Sequence, residues 1–107
     1  MTVKRRAHHD LVAVQAKFAS VETLEMTTSA IRSATAIGFG REDVVEAVQA
    51  LSRSDFVKSE TQHNPPNHRC WHDTYKSQQG EFYLYLKFAG ETLIDVMLVS
   101  FKEAHDG

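Results

Sequence analysis

Apolar and polar residues follow two different periods along this chain, and the change falls near Asp55. Before it the spacing is helical. Leu11, Val14 and Phe18 fall on one side of a helix over residues 7–19, with Lys17 off that side. Glu25-Met26-Thr27 reads as a short extended piece leading into a second helix, capped by Thr28 or Ser29 and carrying Ala30, Ile31, Ala34 and Ile37. Gly38 and Gly40 end it. A third helix, Arg41 to Ser52, has Glu42 and Asp43 in its first turn, where carboxylates suit the helix dipole, and Val44, Val45, Val48 and Leu51 along one face.

After Asp55 the period becomes that of strands. Phe56 to Gln62 and Cys70 to Lys76 are extended segments, separated by residues 63–67, where Pro65 and Pro66 oppose regular structure and predict a loop. Glu81 to Ala89 alternates, with Phe82, Leu84, Leu86 and Phe88 on one face and Tyr83, Tyr85 and Lys87 on the other. Gly90-Glu91-Thr92 predicts a turn into Leu93 to Lys102, whose Val, Ile and Leu content predicts a central strand covered on both faces. The expected architecture is α+β: an antiparallel sheet with about three helices packed on one face. Its other face stays open, and Tyr83, Tyr85 and Lys87 project from it if Phe82 and Leu84 point at the helices.

Composition narrows the class without naming an activity. The chain has 107 residues, 42% apolar and 24% charged, which predicts one soluble globular domain over residues 1–107. A net charge of −2 argues against a broad nonspecific nucleic-acid binder, because such binders work by neutralising many phosphates. Arg53 to Lys102 holds six basic and six acidic residues, so any RNA contact has to use a local patch. Cys70 is the one cysteine, which rules out an internal disulfide and suits a reducing compartment. The basic start, MTVKRRAHHD, lacks the apolar stretch of a secretory signal, and runs such as Val96 to Val99 are too short to cross a bilayer. A cytoplasmic protein without a membrane partner is expected.

Lys58, His72, Tyr85 and Lys102 stand on four different strand-like segments, and each suits phosphoester chemistry. Taken singly, the lysines read as solvated strand residues and Tyr85 as a half-buried sheet tyrosine. His72 has a second reading. His63, His68, Cys70 and His72 lie within ten residues, and the last three alternate along an extended chain, so a zinc site is the alternative, although the spacing fits no standard zinc motif. Trp71, Tyr75 and Tyr83 either stack on unpaired bases or belong to the sheet core. Trp71 has the opposite parity to His72 and should pack under the helices if His72 faces a substrate. Lys4-Arg5-Arg6 reads as a frayed, solvated terminus.

Four stretches together resemble a known family: Leu51-Ser-Arg-Ser-Asp-Phe-Val-Lys-Ser59, Trp71-His-Asp-Thr-Tyr75, Tyr83-Leu-Tyr-Leu-Lys87 and Leu98-Val-Ser-Phe-Lys-Glu103. Their order and spacing are similar to those of the MqsR toxins, whose fold is like that of the RelE ribonuclease toxins. Met26-Thr-Thr-Ser29 and the helical segments also look similar, so the resemblance extends over nearly the whole chain, more loosely before Leu51. It implies a type II toxin that cleaves messenger RNA and is held inactive by a cognate antitoxin. The family's active-site positions fall on Lys58, His72, Tyr85 and Lys102. His72 stands where members of the family carry Gln, and Val57 where an aromatic is common.

The chemistry implied needs no metal and no cofactor. The ribose 2′-OH attacks the adjacent phosphorus, giving a 2′,3′-cyclic phosphate and a free 5′-OH. A base takes the 2′ proton, cations stabilise the charge on the phosphoryl oxygens, and an acid protonates the leaving oxygen. Lys58 and Lys102 suit the second task and His72 the third, while Tyr85 can bond the phosphate, orient the 2′-OH or stack a base. Tyr83 and Lys87 are the expected RNA contacts beside them. A relative that keeps the fold and binds RNA or a protein without cutting is the competing expectation, along with the zinc protein.

Overall fold

The computed structural model describes residues 2–104. In chain order the elements are β1 (Val3–Lys4), α1 (Leu11–Lys17), α2 (Thr28–Ala36), α3 (Arg41–Gln49), a 3-10 turn (Arg53–Asp55), β2 (Phe56–His63), β3 (Pro66–Gln79), β4 (Phe82–Gly90) and β5 (Met97–Glu103). The strands form one sheet in the order β1-β2-β3-β4-β5, each antiparallel to its neighbour. The α+β expectation of helices on one face holds.

Local chemistry sets the helix bounds a few residues inside the expected ones. Asp10 caps α1 by accepting from Ala13 N at 3.3 Å, so the helix begins at Leu11 and not at residue 7. Thr27, one place ahead of the expected cap, does the same for Ala30 N at 3.3 Å in α2. Gly38, at φ +85°, ends that helix in a conformation that other residues adopt at a cost. In α3 the Asp43 carboxylate accepts from Gly40 N at 2.8 Å. Leu11, Val14 and Phe18 from α1 and its end, Ala30 and Ala34 from α2, and Val44 and Val48 from α3 all pack on Leu84, Leu86, Phe88, Leu98 and Phe101. Phe18, Leu84 and Leu86 are fully buried there, and burial of this kind contributes roughly 1.5–3 kcal/mol per large side chain.

Two strand expectations are corrected. Residues 63–67 are not all loop: β2 and β3 continue as a two-stranded ribbon to the pair His63 and Pro66, with only Asn64 and Pro65 at the turn. Proline is tolerated there because it opens the strand at the ribbon's end. A register break after Thr61, which faces Trp71 while Gln62 faces Asn67, takes up His68, Arg69 and Cys70.

The last strand is an edge strand that begins at Met97, not a central strand from Leu93. Residues 91–96 are drawn into a loop by polar contacts that composition hides. The Asp95 carboxylate accepts from Thr92 N at 2.8 Å and from Glu91 N at 3.1 Å, while Lys17 Nζ donates to the carbonyls of Leu93, Ile94 and Val96 at 2.8–2.9 Å. Ile94 is left 89% exposed, so its apolar character does not place it in the sheet. At Gly90 a Cβ would lie 2.7 Å from Val96 Cα, which makes the glycine a condition of this loop's path. Residues 25–27 cover part of the outer edge, with Leu98 N donating to Glu25 O at 2.9 Å and Thr27 N to Leu98 O at 3.1 Å.

The N-terminal segment is tied down instead of frayed. Val3 and Lys4 pair with Glu60 and Ser59, and Asp73, 1% exposed, accepts from His8 N at 3.0 Å, His9 N at 2.8 Å and the Ser59 hydroxyl. Trp71 does turn to the side opposite His72, but its cover is this segment: His8 stacks on it at 5.4 Å and Lys4 Nζ lies 4.1 Å above its ring. No helix among the described residues is long and apolar enough to cross a membrane.

Candidate active site on the open sheet face

Directly paired residues of neighbouring strands share a face, so the register places every candidate. Lys58 pairs with Thr74, Thr74 with Lys87 and Lys87 with Ser100, which forms a central row. On one side of it lies the row Glu60, His72, Ala89 and Met97, and on the other the row Lys76, Tyr85 and Lys102. All are on the side away from the helices, because Leu84, Leu86 and Phe88 alternate with them and belong to the core. Lys58, His72, Tyr85, Lys102, Tyr83 and Lys87 therefore share one face. Tyr75 has the other parity and is buried core.

The face is shared, but the four are spread along it. His72 and Tyr85 are two rows and one strand apart, about 14 Å between Cα atoms, and His72 and Lys102 about 17 Å. Two stations result. At the first, Glu60, His72 and Lys87 line a cavity of about 440 Å³ with Thr61, Gln62, His63 and Asn64 of the projecting ribbon. Lys58 Nζ stands 3.4 Å from Glu60 Oε2, and Gln62 Oε1 lies 3.5 Å from His72 Nε2, at the outer limit of a hydrogen bond. Burial pushes the His72 imidazole below its ordinary value, and the nearby Lys87 ammonium adds to this against the opposing pull of Glu60 and Asp73.

At the second station the Tyr85 ring lies between two cations. Lys102 Nζ is 5.0 Å from its centroid and Lys87 Nζ 5.7 Å. Lys87 thus reaches toward both stations. Two residues on this face escaped the sequence reading: Lys76, across from Tyr85, and Glu60, across from His72. Parity was the available signal, since Lys76 is four places from His72 and Glu60 two from Lys58. With both included, the register-defined rows hold four lysines and a single carboxylate, a local excess of positive charge that the overall charge of −2 conceals.

The zinc alternative finds no assembled ligand set. Among the described residues no group of three or more His, Cys, Asp or Glu is placed to hold a metal ion. The Cys70 thiol is pushed up by burial and by the carboxylates of Asp95 and Glu91, which is opposite to what a metal-binding thiolate needs. A larger cavity of about 470 Å³ lies beside the N-terminal segment, among Arg5, Arg6, His8 and Arg53 over Phe56 and Tyr75, and none of Lys58, His72, Tyr83, Tyr85, Lys87 and Lys102 lines it.

Fold and face together define an α+β domain that presents lysine, histidine and tyrosine side chains on an uncovered sheet face. The chain belongs to the family described as motility quorum-sensing regulator, toxin of MqsA, whose pattern matches residues 6–103. It is similar to the mRNA interferase toxin MqsR of Escherichia coli (strain K12), with 30% identity over 101 residues that cover 94% of this chain and 99% of that relative.

Proposed function

We propose that this protein is the toxin of a toxin–antitoxin pair, a metal-independent endoribonuclease that cuts single-stranded mRNA in the cytoplasm until a cognate antitoxin binds it. Family membership supports the toxin and nuclease roles. The observation that carries the chemistry is the uncovered face itself, where Lys58, Lys87, His72, Tyr85 and Lys102 stand on adjoining rows.

The two stations divide the work. At the first, Lys58 and Lys87 stabilise charge on the phosphoryl oxygens as the 2′-OH attacks, and His72 protonates the departing 5′ oxygen. Its half-buried setting and the Lys87 charge make the imidazolium a stronger acid than a free histidine, which favours that transfer. At the second, Tyr85 and Lys102, helped by Tyr83 and Lys76, hold the neighbouring nucleotide by stacking and charge. The separation of about 14–17 Å between the stations spans more than one nucleotide.

Purified protein in excess chelator is expected to cut a single-stranded oligoribonucleotide, leaving 2′,3′-cyclic phosphate and 5′-OH ends. Cleavage that needs added metal, or ends of the other polarity, defeats this mechanism. Expression without an antitoxin should arrest growth, and His72→Ala should relieve the arrest.

A further inference from the structure

Thr74 and Glu60, two of the polar side chains on the open face, have no part in that reading. Thr74 lies between Lys58 and Lys87, paired across the strands with both, and is 1% exposed. Its Oγ1 is buried without a hydrogen-bond partner. A buried, unpaired hydroxyl flanked on both neighbouring strands by lysines is unfavourable until an acceptor arrives, and the lysine charges favour an anionic oxygen. Glu60 is the single carboxylate in the register-defined rows. It sits directly across from His72, its side chain is only 15% exposed, and it lines the same cavity as His72 and Lys87.

We infer that the scissile phosphate seats over Thr74 between Lys58 and Lys87, and that Glu60 and His72 act on it as the base and acid pair. This rests on the nuclease reading above. The Glu60 carboxylate takes the proton from the 2′-OH as the O2′–P bond forms. The P–O5′ bond breaks, the phosphoryl oxygens accept from Thr74 Oγ1 and the two lysines, and the imidazolium gives its proton to O5′. The products are a 2′,3′-cyclic phosphate and a 5′-OH, with Glu60 neutral and His72 neutral. Exchange with water restores both. Side chains directly opposite on antiparallel strands stand about 5 Å apart at Cβ, which lets them flank one phosphorus.

Lys58, on Glu60's own strand, pairs with it, Lys87 on β4 and Asp73 from behind the sheet act on His72, and His63 of the ribbon lines the same cavity. A competing structural role is available, in which Glu60 only steadies Lys58 through their ion pair. The two roles differ in the pH profile. With Glu60 as base and His72 as acid, kcat rises with pH as Glu60 ionises and falls as His72 loses its proton, so each limb belongs to one residue.

The test follows cleavage of a single-stranded oligoribonucleotide by the full chain, in excess chelator, through the acid and neutral range. Glu60→Gln should lower kcat about 10²- to 10⁴-fold and erase the acid limb, and Glu60→Asp should restore the limb in part. Thr74→Val keeps the side chain's shape and removes the unpaired hydroxyl. Its thermal midpoint should stay level or rise, while kcat falls about 10²- to 10³-fold. An acid limb that persists in Glu60→Gln, at any rate, assigns Glu60 the steadying role and overturns the inference. Wild-type kcat in Thr74→Val removes the phosphate from this seat. Wild-type protein that leaves RNA intact overturns the nuclease reading itself, whereas cutting wild type with an unchanged Glu60→Gln overturns only the pair.

Discussion

The two ends of the open face are built on the same strands yet offer different surroundings. Around His72 the ribbon of β2 and β3 rises beside β4 and encloses a cavity of about 440 Å³, so the imidazole is half-buried and its proton affinity is lowered. Around Tyr85, half-buried as His72 is, the strands continue to the edge without a ribbon beside them, and Lys102 stands exposed on the outermost one. Partial burial strengthens electrostatic interactions and perturbs pKa values, which proton transfer uses. An aromatic flanked by cations suits grip. On the proposed reading, one sheet separates cutting from holding by the cavity the ribbon forms at one end.

Substitutions break that comparison in graded steps. The largest effect belongs to the sheltered end: His72→Ala should lower kcat about 10²- to 10⁴-fold with little change in KM, read from single-turnover and steady-state cleavage. Lys58→Ala should follow, costing about 10²- to 10³-fold in kcat. At the Tyr85 end the pattern should reverse. Tyr85→Ala should weaken RNA binding by about 1–3 kcal/mol while leaving kcat nearly intact. Its effect is read from titration of an uncleavable 2′-deoxy substrate, and a kcat loss equal to that of His72→Ala would merge the two stations into one.

The smallest effect is on proton affinity. Removing the Lys87 charge, as in Lys87→Met, should raise the His72 pKa back toward its ordinary value, a shift visible in an NMR titration of the imidazole. His72 also links pH to stability. Its folded-state pKa lies below the unfolded one, so the folded state binds fewer protons between the two. Stability is therefore fully present above the unfolded value near ~6.5 and declines as pH falls through the folded value. Denaturant midpoints of His72→Gln should show a shallower decline over that window.

Much of this arrangement is written in the period of the second half. The alternation from Phe82 to Phe88 against Tyr83 to Lys87 is strict enough to assign both faces of β4, and with it the open face. Single-strand periodicity carries no register, so the spread of His72 from Lys102 and the pairing of Glu60 with His72 stay hidden until the strands are aligned. Apolar composition misplaces β5, because Asp95 and Lys17 hold residues 91–96 in a loop through contacts far apart in sequence. The two prolines mislead for a related reason: they forbid a ladder donor at two points, yet the ribbon needs none at its tip.

Asp73 carries one more consequence. It lies between His72 and Thr74 on β3 and points to the reverse of the sheet, where its carboxylate collects amides from His8 and His9, sixty-five and sixty-four residues away. The backbone that carries His72 is in this way stapled from behind by the opening segment of the chain. Substitutions that pull His8 and His9 off this carboxylate would strand a buried anion and slacken the imidazole's seat together.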